Sequence, residues 1–413
     1  MTLVLTPGAR VRFTFHGGEF EGTYVTEREG RMVIKLENGY NLGVEPAALL
    51  SSHLPPPSPP PRITTIEQDS SLPECAIIST GGTIASRVDY RTGAVTSQFS
   101  AEDILRAIPG LGGIARYRTR QISSLLSENM QPGIWRDLAH AIYHEICEGV
   151  RGVIVTHGTD TMGYTASAMA FMIETTVPVV FVGSQRSADR PSSDNVMNAL
   201  CSARAAVSEL GEAAVVMHGT TSDDHCAIHR ATRVRKMHTS RRDAFQSIGI
   251  PPLGGVEYPD LTLTLGPHAR TRQEGEARLF DRIEERCGLL TFVPGTPPEV
   301  IDSCEGYQGL VIAGSGLGHV ASAWVPRLKE LIGAGTTVVM TSQCLHGRVC
   351  DRVYDTGRDL LSIGVIEGED MLPETAVVKL GWVLGHEQDP ERVRTLMQTD
   401  LRGEICRRSL HGL

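Results

Sequence analysis

Paired cysteines are absent from this sequence. Nine cysteines lie singly along 413 residues, an odd number without a Cys-x-x-Cys spacing, which argues against a disulfide framework and against a thiolate zinc site. Reduced, buried thiols are expected instead. Long apolar runs are missing as well: none approaches the eighteen or more residues that suggest a membrane span. The amino terminus lacks a charged stretch leading into the apolar core of a secretory signal. No membrane association and a cytoplasmic location are therefore expected. Positive charge is not in excess either, since the formal net charge is −9. That weighs against general polyanion binding and leaves only a local basic stretch around Arg230 to Arg242 to consider. No sequence period suggests a solenoid.

What is present divides into unlike parts. In residues 1–54, Val11, Phe13 and Phe15 alternate with polar residues, Gly17-Gly18 supplies a turn, and Met32 to Leu36 is followed by Asn38-Gly39, a strong hairpin signal. A small all-β module of SH3-like barrel type is expected. Residues 55–73 form a linker headed by Pro55-Pro56-Pro57-Ser58-Pro59-Pro60-Pro61. Its rings fix φ and remove backbone donors, which makes it stiff and extended. From residue 74 to 270, short apolar runs (Ala76–Ile78, Gly152–Val155, Val179–Val182, Ala213–Met217) alternate with helical patterns, the signature of a parallel α/β sheet buried on both faces. Ser100 with Asp103 suits a helix cap, Ile134 to Ile146 carries a core-facing stripe, and Tyr164 to Met172 is apolar almost all round. Residues 271–413 repeat the α/β pattern on a smaller scale, with strands at Leu289–Phe292, Gly309–Ala313 and Thr337–Met340 and helices over 323–331 and from Pro373.

Two loops invite chemistry. Thr80-Gly81-Gly82-Thr83-Ile84-Ala85 and Thr156-His157-Gly158-Thr159-Asp160-Thr161 each follow an apolar strand, so both would open at the C-terminal ends of parallel strands, where open α/β sheets bind ligands. A threonine hydroxyl needs a partner that takes its proton. Asp160 adjoins Thr159, and Lys236 lies in the basic stretch, where Arg233 and Arg235 could lower its proton affinity as cationic neighbours. Gly81, Gly82 and Gly158 let backbone N–H groups approach a developing oxyanion. Each residue also has a duller role: threonine caps helices, Asp160 suits a helix N-terminus, and a basic run is usually a solvated face or an RNA contact. Gly314-Ser315-Gly316-Leu317-Gly318 lacks the last glycine of a dinucleotide loop, because His319 stands there.

The two threonine loops closely resemble the signature loops of the asparaginase/glutaminase amidohydrolase family, and Ser127-Glu128-Asn129-Met130 is similar to its substrate-binding Ser-x-x-Met segment. The resemblance runs from about Ala76 to the C-terminus and includes the Gly314 to His319 stretch. It implies a two-domain parallel-sheet fold after the β module. Thr83 would attack a side-chain amide, while Thr159, Lys236 and Asp160 would handle protons. Ser127 and Asp160 would hold the α-carboxylate and α-amino groups of the substrate. Glu128, Gly82 and Gly158 would line the substrate site, and Tyr90 would supply the tyrosine of the mobile loop. Family members differ over which threonine attacks, so both stay open here. Glu128 stands where many members carry glutamine.

The β module, the proline linker, the Arg233 to Phe245 stretch and Tyr354 to Leu361 resemble one branch of that family, the glutaminase subunits of archaeal-type tRNA-dependent amidotransferases. That implies ammonia release from glutamine for a partner subunit, which uses ATP and Mg to activate Glu-tRNA(Gln). The implied assembly is a heterotetramer, a homodimer of this chain flanked by two partner subunits, with no cofactor or metal on this chain. A free-standing L-asparaginase is the alternative.

Overall fold

The computed structural model describes residues 5, 8–28, 30–36, 40–53, 68–81, 87–88, 95–96, 104–105, 107–187 and 192–408. The Asn38-Gly39 turn, the run Pro55 to Pro61 and the Ser100/Asp103 cap lie outside them.

The amino-terminal module is a five-stranded antiparallel sheet in the order Asn41–Val44, Arg31–Leu36, Gly18–Arg28, Arg10–Phe15, Leu49–His53. Alternation places Val11, Phe13, Tyr24, Met32, Ile34 and Val44 in one core. The first hairpin turns at His16 and Gly17, whose φ values of 48° and 79° are both positive, with Phe15 opposite Gly18. That is one residue earlier than Gly17-Gly18, because a two-residue hairpin turn that matches strand twist needs positive φ at both central positions.

Next comes an eight-stranded sheet, whose order is Leu263–Leu265, Gly254–Glu257, His225–Arg230, Ala213–His218, Val179–Val182, Gly152–Thr156, Glu74–Gly81, Arg116–Leu125. The last five strands in that order run parallel, and the first three join antiparallel. The central strands are buried along their whole length, as expected where helices cover both faces. Pro178 precedes its strand rather than interrupting it. Helix Pro132–Cys147 begins with proline at its first position and buries Leu138, Ala139, Ile142 and Ile146. Helix Met162–Met172 is buried from Thr165 onward, which explains why its sequence has no polar face.

The smaller domain is a four-stranded parallel sheet in chain order: Cys287–Thr291, Gly309–Gly314, Thr337–Ser342, Ile366–Glu367. Its first strand starts two residues before the expected Leu289. Phe292 already turns inward onto Trp324, with ring centroids 5.2 Å apart. Helix Pro373–His386 joins the two domains, for Trp382 stacks on Phe171 at 5.9 Å and Val378 belongs to the core of the larger domain. All nine cysteines are unpaired. Four are buried, but Cys147 and Cys344 are exposed, so the expectation of uniformly buried thiols is corrected. Among the described residues no helix is long and apolar enough to cross a membrane.

Candidate active site

The first threonine loop leaves its strand at Gly81. There φ is +111°, and a Cβ would sit 2.5 Å from the Leu125 carbonyl oxygen and 2.7 Å from its nitrogen, so only glycine fits. Thr80 Oγ1 donates to the Thr156 carbonyl at 3.0 Å, and Ser123 Oγ donates to the Thr80 carbonyl at 2.9 Å. The first bond ties the mouth of the first loop to the strand that bears the second, and the other ties it to the edge strand Arg116–Leu125. Gly82, Thr83 and Tyr90 lie outside the described residues.

The second loop carries the contacts to Lys236. Lys236 Nζ donates to Thr159 Oγ1 at 2.9 Å and to Asp160 Oδ1 at 2.7 Å. Thr159 is buried, whereas the Asp160 side chain is 69% exposed. An ion pair so open contributes little stability; its effect is to aim the ammonium. Thr161 precedes helix Met162–Met172 but does not cap it. Its hydroxyl donates instead to the Ser127 carbonyl at 2.7 Å, which pulls the Ser127–Asn129 turn against the loop. Gly158 permits that approach, since a Cβ there would lie 2.6 Å from Ser127 Cβ. Ser127 is buried and Glu128 exposed. Beneath the loop the His157 imidazole is wholly buried, and burial pushes its pKa down to about 4 despite the contact with the Gly158 carbonyl. It is therefore a neutral ring, whose Nδ1–H donates to that carbonyl at 2.7 Å. Ser127, Gly158, Thr159, Asp160 and Lys236 are thus brought together.

The arginines of the basic stretch are paired with carboxylates, whether buried or at the surface. Arg233 is buried and pairs with Asp370 at 2.9 Å, Arg235 meets Glu374 at 3.3 Å, and Arg241 meets Asp243 at 2.8 Å. Arg242 pairs with Asp223, and Arg230 grips Glu212 at 2.7 Å. Each of these arginines is answered by a carboxylate.

A cleft of about 540 Å³ opens beside Lys236 and Asp160, and its far wall is Leu289, Thr291, Ala313 and Gln343 of the smaller domain. Both parallel sheets therefore present C-terminal strand ends to one space, the place where such sheets bind ligands. Another cavity, of about 490 Å³, lies at the N-terminal strand ends beside Glu212, Ala213 and Arg230, away from the threonine loops. Sequence reasoning missed Thr80, Ser123, Thr161, Glu374 and Gln343. Gln343 directly follows strand Thr337–Ser342, so the strand-end rule was a usable signal for it. Thr80 and Thr161 lie within the two loops but were not assigned a contact there, and Ser123 and Glu374 carry no local signal.

Comparison with known proteins agrees with this fold. Residues 74–267 match the family model "Asparaginase, N-terminal", and residues 286–397 match "Glutaminase/Asparaginase C-terminal domain". A Methanosarcina mazei protein named as the D subunit of glutamyl-tRNA(Gln) amidotransferase is 51% identical over 96% of this chain and 97% of its own. One of the same name from Halobacterium salinarum is 51% identical over 98% of each. Among solved structures, the thermostable L-asparaginase from Thermococcus kodakarensis is similar with a TM-score of 0.71 and 32% identity, covering 81% of this chain and 99% of that one.

Proposed function

The chain belongs to the asparaginase/glutaminase family, and from that premise we propose that it is the glutaminase subunit of a cytoplasmic tRNA-dependent amidotransferase. The contact of Lys236 Nζ with Thr159 Oγ1 and Asp160 Oδ1 carries the chemistry. Similarity to proteins named for the amidotransferase over nearly the full chain supports the assignment.

In this reading the Thr83 hydroxyl attacks the side-chain amide carbon of glutamine. The Thr159, Lys236 and Asp160 group takes the hydroxyl proton and returns it to the leaving nitrogen, which departs as ammonia. Backbone N–H groups of the glycine loops face the oxyanion, a contribution of about 3 to 4 kcal/mol per donor. Water then cleaves the threonine ester to give glutamate. Ser127, Gly82, Gly158, Glu128 and Tyr90 enclose the amino acid. A separate, tRNA-activating partner subunit binds ATP and Mg, activates Glu-tRNA(Gln) and accepts the ammonia, in a heterotetramer built on a homodimer of this chain.

The test is ammonia release from glutamine and from asparagine, with and without the tRNA-activating partner, ATP, Mg and Glu-tRNA(Gln). Stimulation of glutamine hydrolysis by the complete set is expected. Full-rate asparagine hydrolysis by the chain alone would make it a free-standing asparaginase. One observation favours a second assignment of the nucleophile: Thr159 is itself the hydroxyl bonded to Lys236. Mass spectrometry of a quenched reaction decides between them, because the acyl group resides on the peptide holding either Thr83 or Thr159.

A further inference from the structure

We propose that Arg233 is a positioning residue for Lys236, acting through the C-terminal segment Asp400–Cys406; the inference rests on the amidohydrolase reading above. Lys236 ends a three-residue strand, Val234–Lys236, that follows a single helical turn, Ala231–Arg233. That strand pairs along its whole length with Phe245–Ser247, Lys236 lying opposite Phe245, and the turn before it anchors this two-stranded ribbon to the rest of the chain. The Ala231 carbonyl accepts from Ser167 Oγ at 3.1 Å, and the Thr232 carbonyl accepts from Thr375 Oγ1 at 3.0 Å. Thr232 Oγ1 donates to the Arg402 carbonyl at 3.2 Å.

Arg233 supplies the remaining grip. Its guanidinium, 1% exposed, donates to the Gly403 carbonyl at 3.2 Å, the Asp370 carbonyl at 2.9 Å and Asp370 Oδ2 at 2.9 Å. The other oxygen of Asp370 accepts from the Cys406 amide at 3.0 Å. The segment is itself locked by Lys379 and Glu404, both wholly buried and 2.5 Å apart. A buried charge persists only when paired and hydrogen-bonded, and a planar fork with three partners admits one orientation. The larger domain, the smaller domain and the C-terminal segment thus meet three residues before the ammonium that contacts Thr159. Arg233 touches neither Thr159 nor the cleft, so its action is on direction alone.

Two variants of the full-length chain test this, Arg233→Lys, which keeps the charge but not the fork, and Thr232→Val, which removes one bond to the segment. Each is followed by ammonia release from glutamine and by the rate at which an amine-selective acylating reagent labels Lys236, read by mass spectrometry. A displaced Lys236 should lower kcat about tenfold in Arg233→Lys with KM changed less than about twofold, and label roughly threefold faster once Nζ leaves Thr159 and Asp160. Thr232→Val should move both readings in the same direction by less. Folded variants with unchanged kcat and unchanged labelling would overturn the proposal, as would a fall in kcat without any change in labelling. Should Arg233→Lys fail to fold, Thr232→Val carries the same two readings. If the unaltered protein released no ammonia even with the tRNA-activating partner, ATP, Mg and Glu-tRNA(Gln), the functional reading would fail, while the labelling rates would still decide whether Arg233 directs Lys236.

Discussion

Two glycine-bearing loops close apolar parallel strands in this chain, Thr156 to Thr161 in the larger sheet and Gly314 to His319 in the smaller. Their local designs are alike, yet their polar groups have different fates. In the first, the Thr159 and Thr161 hydroxyls are both engaged, by Lys236 and by the Ser127 carbonyl. In the second, the Ser315 hydroxyl donates only within the loop, to the His319 carbonyl at 3.1 Å. Both ring nitrogens of His319 and both carboxylate oxygens of the neighbouring Asp351 are buried without a hydrogen-bond partner among the described residues, as are Thr156 Oγ1 and His157 Nε2 in the first, and His319 Nδ1 and Asp351 Oδ1 are 3.9 Å apart. Burial, and then the nearby Glu367, push the Asp351 carboxyl up to about 7. A strand followed by a glycine turn is therefore only a frame, and what its polar groups meet is delivered from elsewhere in the chain.

The contrast is broken most directly at Thr159. Thr159→Ala and Lys236→Met should each reduce ammonia release by at least the ~10²-fold typical of proton-transfer groups, with the unfolding temperature little changed. Steady-state kinetics beside thermal unfolding measures both. Gly81→Ala comes next, since its Cβ would collide with the backbone of Leu125 at a positive φ. A loss of about 2 to 3 kcal/mol in denaturant unfolding is expected.

The pH dependence separates the two regions further. His157 and His229 are held near 4 by burial, below the ordinary 6.5. The unfolded chain binds those protons first, so their contribution to stability is full above pH 6.5 and is lost as pH falls towards 4. Asp351 acts in the opposite sense. Its native carboxyl keeps a proton between the ordinary 3.8 and about 7, so its contribution is present at low pH and is lost as pH rises through that window. Asp351→Asn should therefore steepen the rise of stability with pH between 4 and 6.5, as seen in unfolding temperatures across a buffer series. The smallest effect belongs to Arg241, paired with Asp243 at the surface. Arg241→Ala should change stability by no more than about 0.5 kcal/mol and leave any tRNA binding by this chain unaltered in its salt dependence.

Much of the architecture was legible because its periods are strong. Short apolar runs bounded by turn signals, such as Val179 to Val182, suit strands covered on both faces, and the apolar helix behind the second threonine loop announced its burial by lacking a polar side. Legibility ended where partners are distant in the chain. Asp370, 137 residues after Arg233, has nothing in its neighbourhood to mark it as the acid that turns this arginine inward. The basic stretch looked like a surface because most of its carboxylates come from other segments of the chain. Thr80 and Ser123 were passed over because a hydroxyl that bonds a carbonyl across two strands has the same sequence context as one that faces water.

By itself the sequence determined which segments are strands, which are helices and where two threonine loops leave the larger sheet, since apolar period and glycine placement act over a few residues. Only the tertiary structure decided that Lys236 reaches Thr159 across 77 residues of chain, that Arg233 faces Asp370 and that the smaller domain supplies the far wall of the cleft. The direction of a side chain on a three-residue strand is set by what packs behind it, and that packing is made of contacts no local pattern encodes.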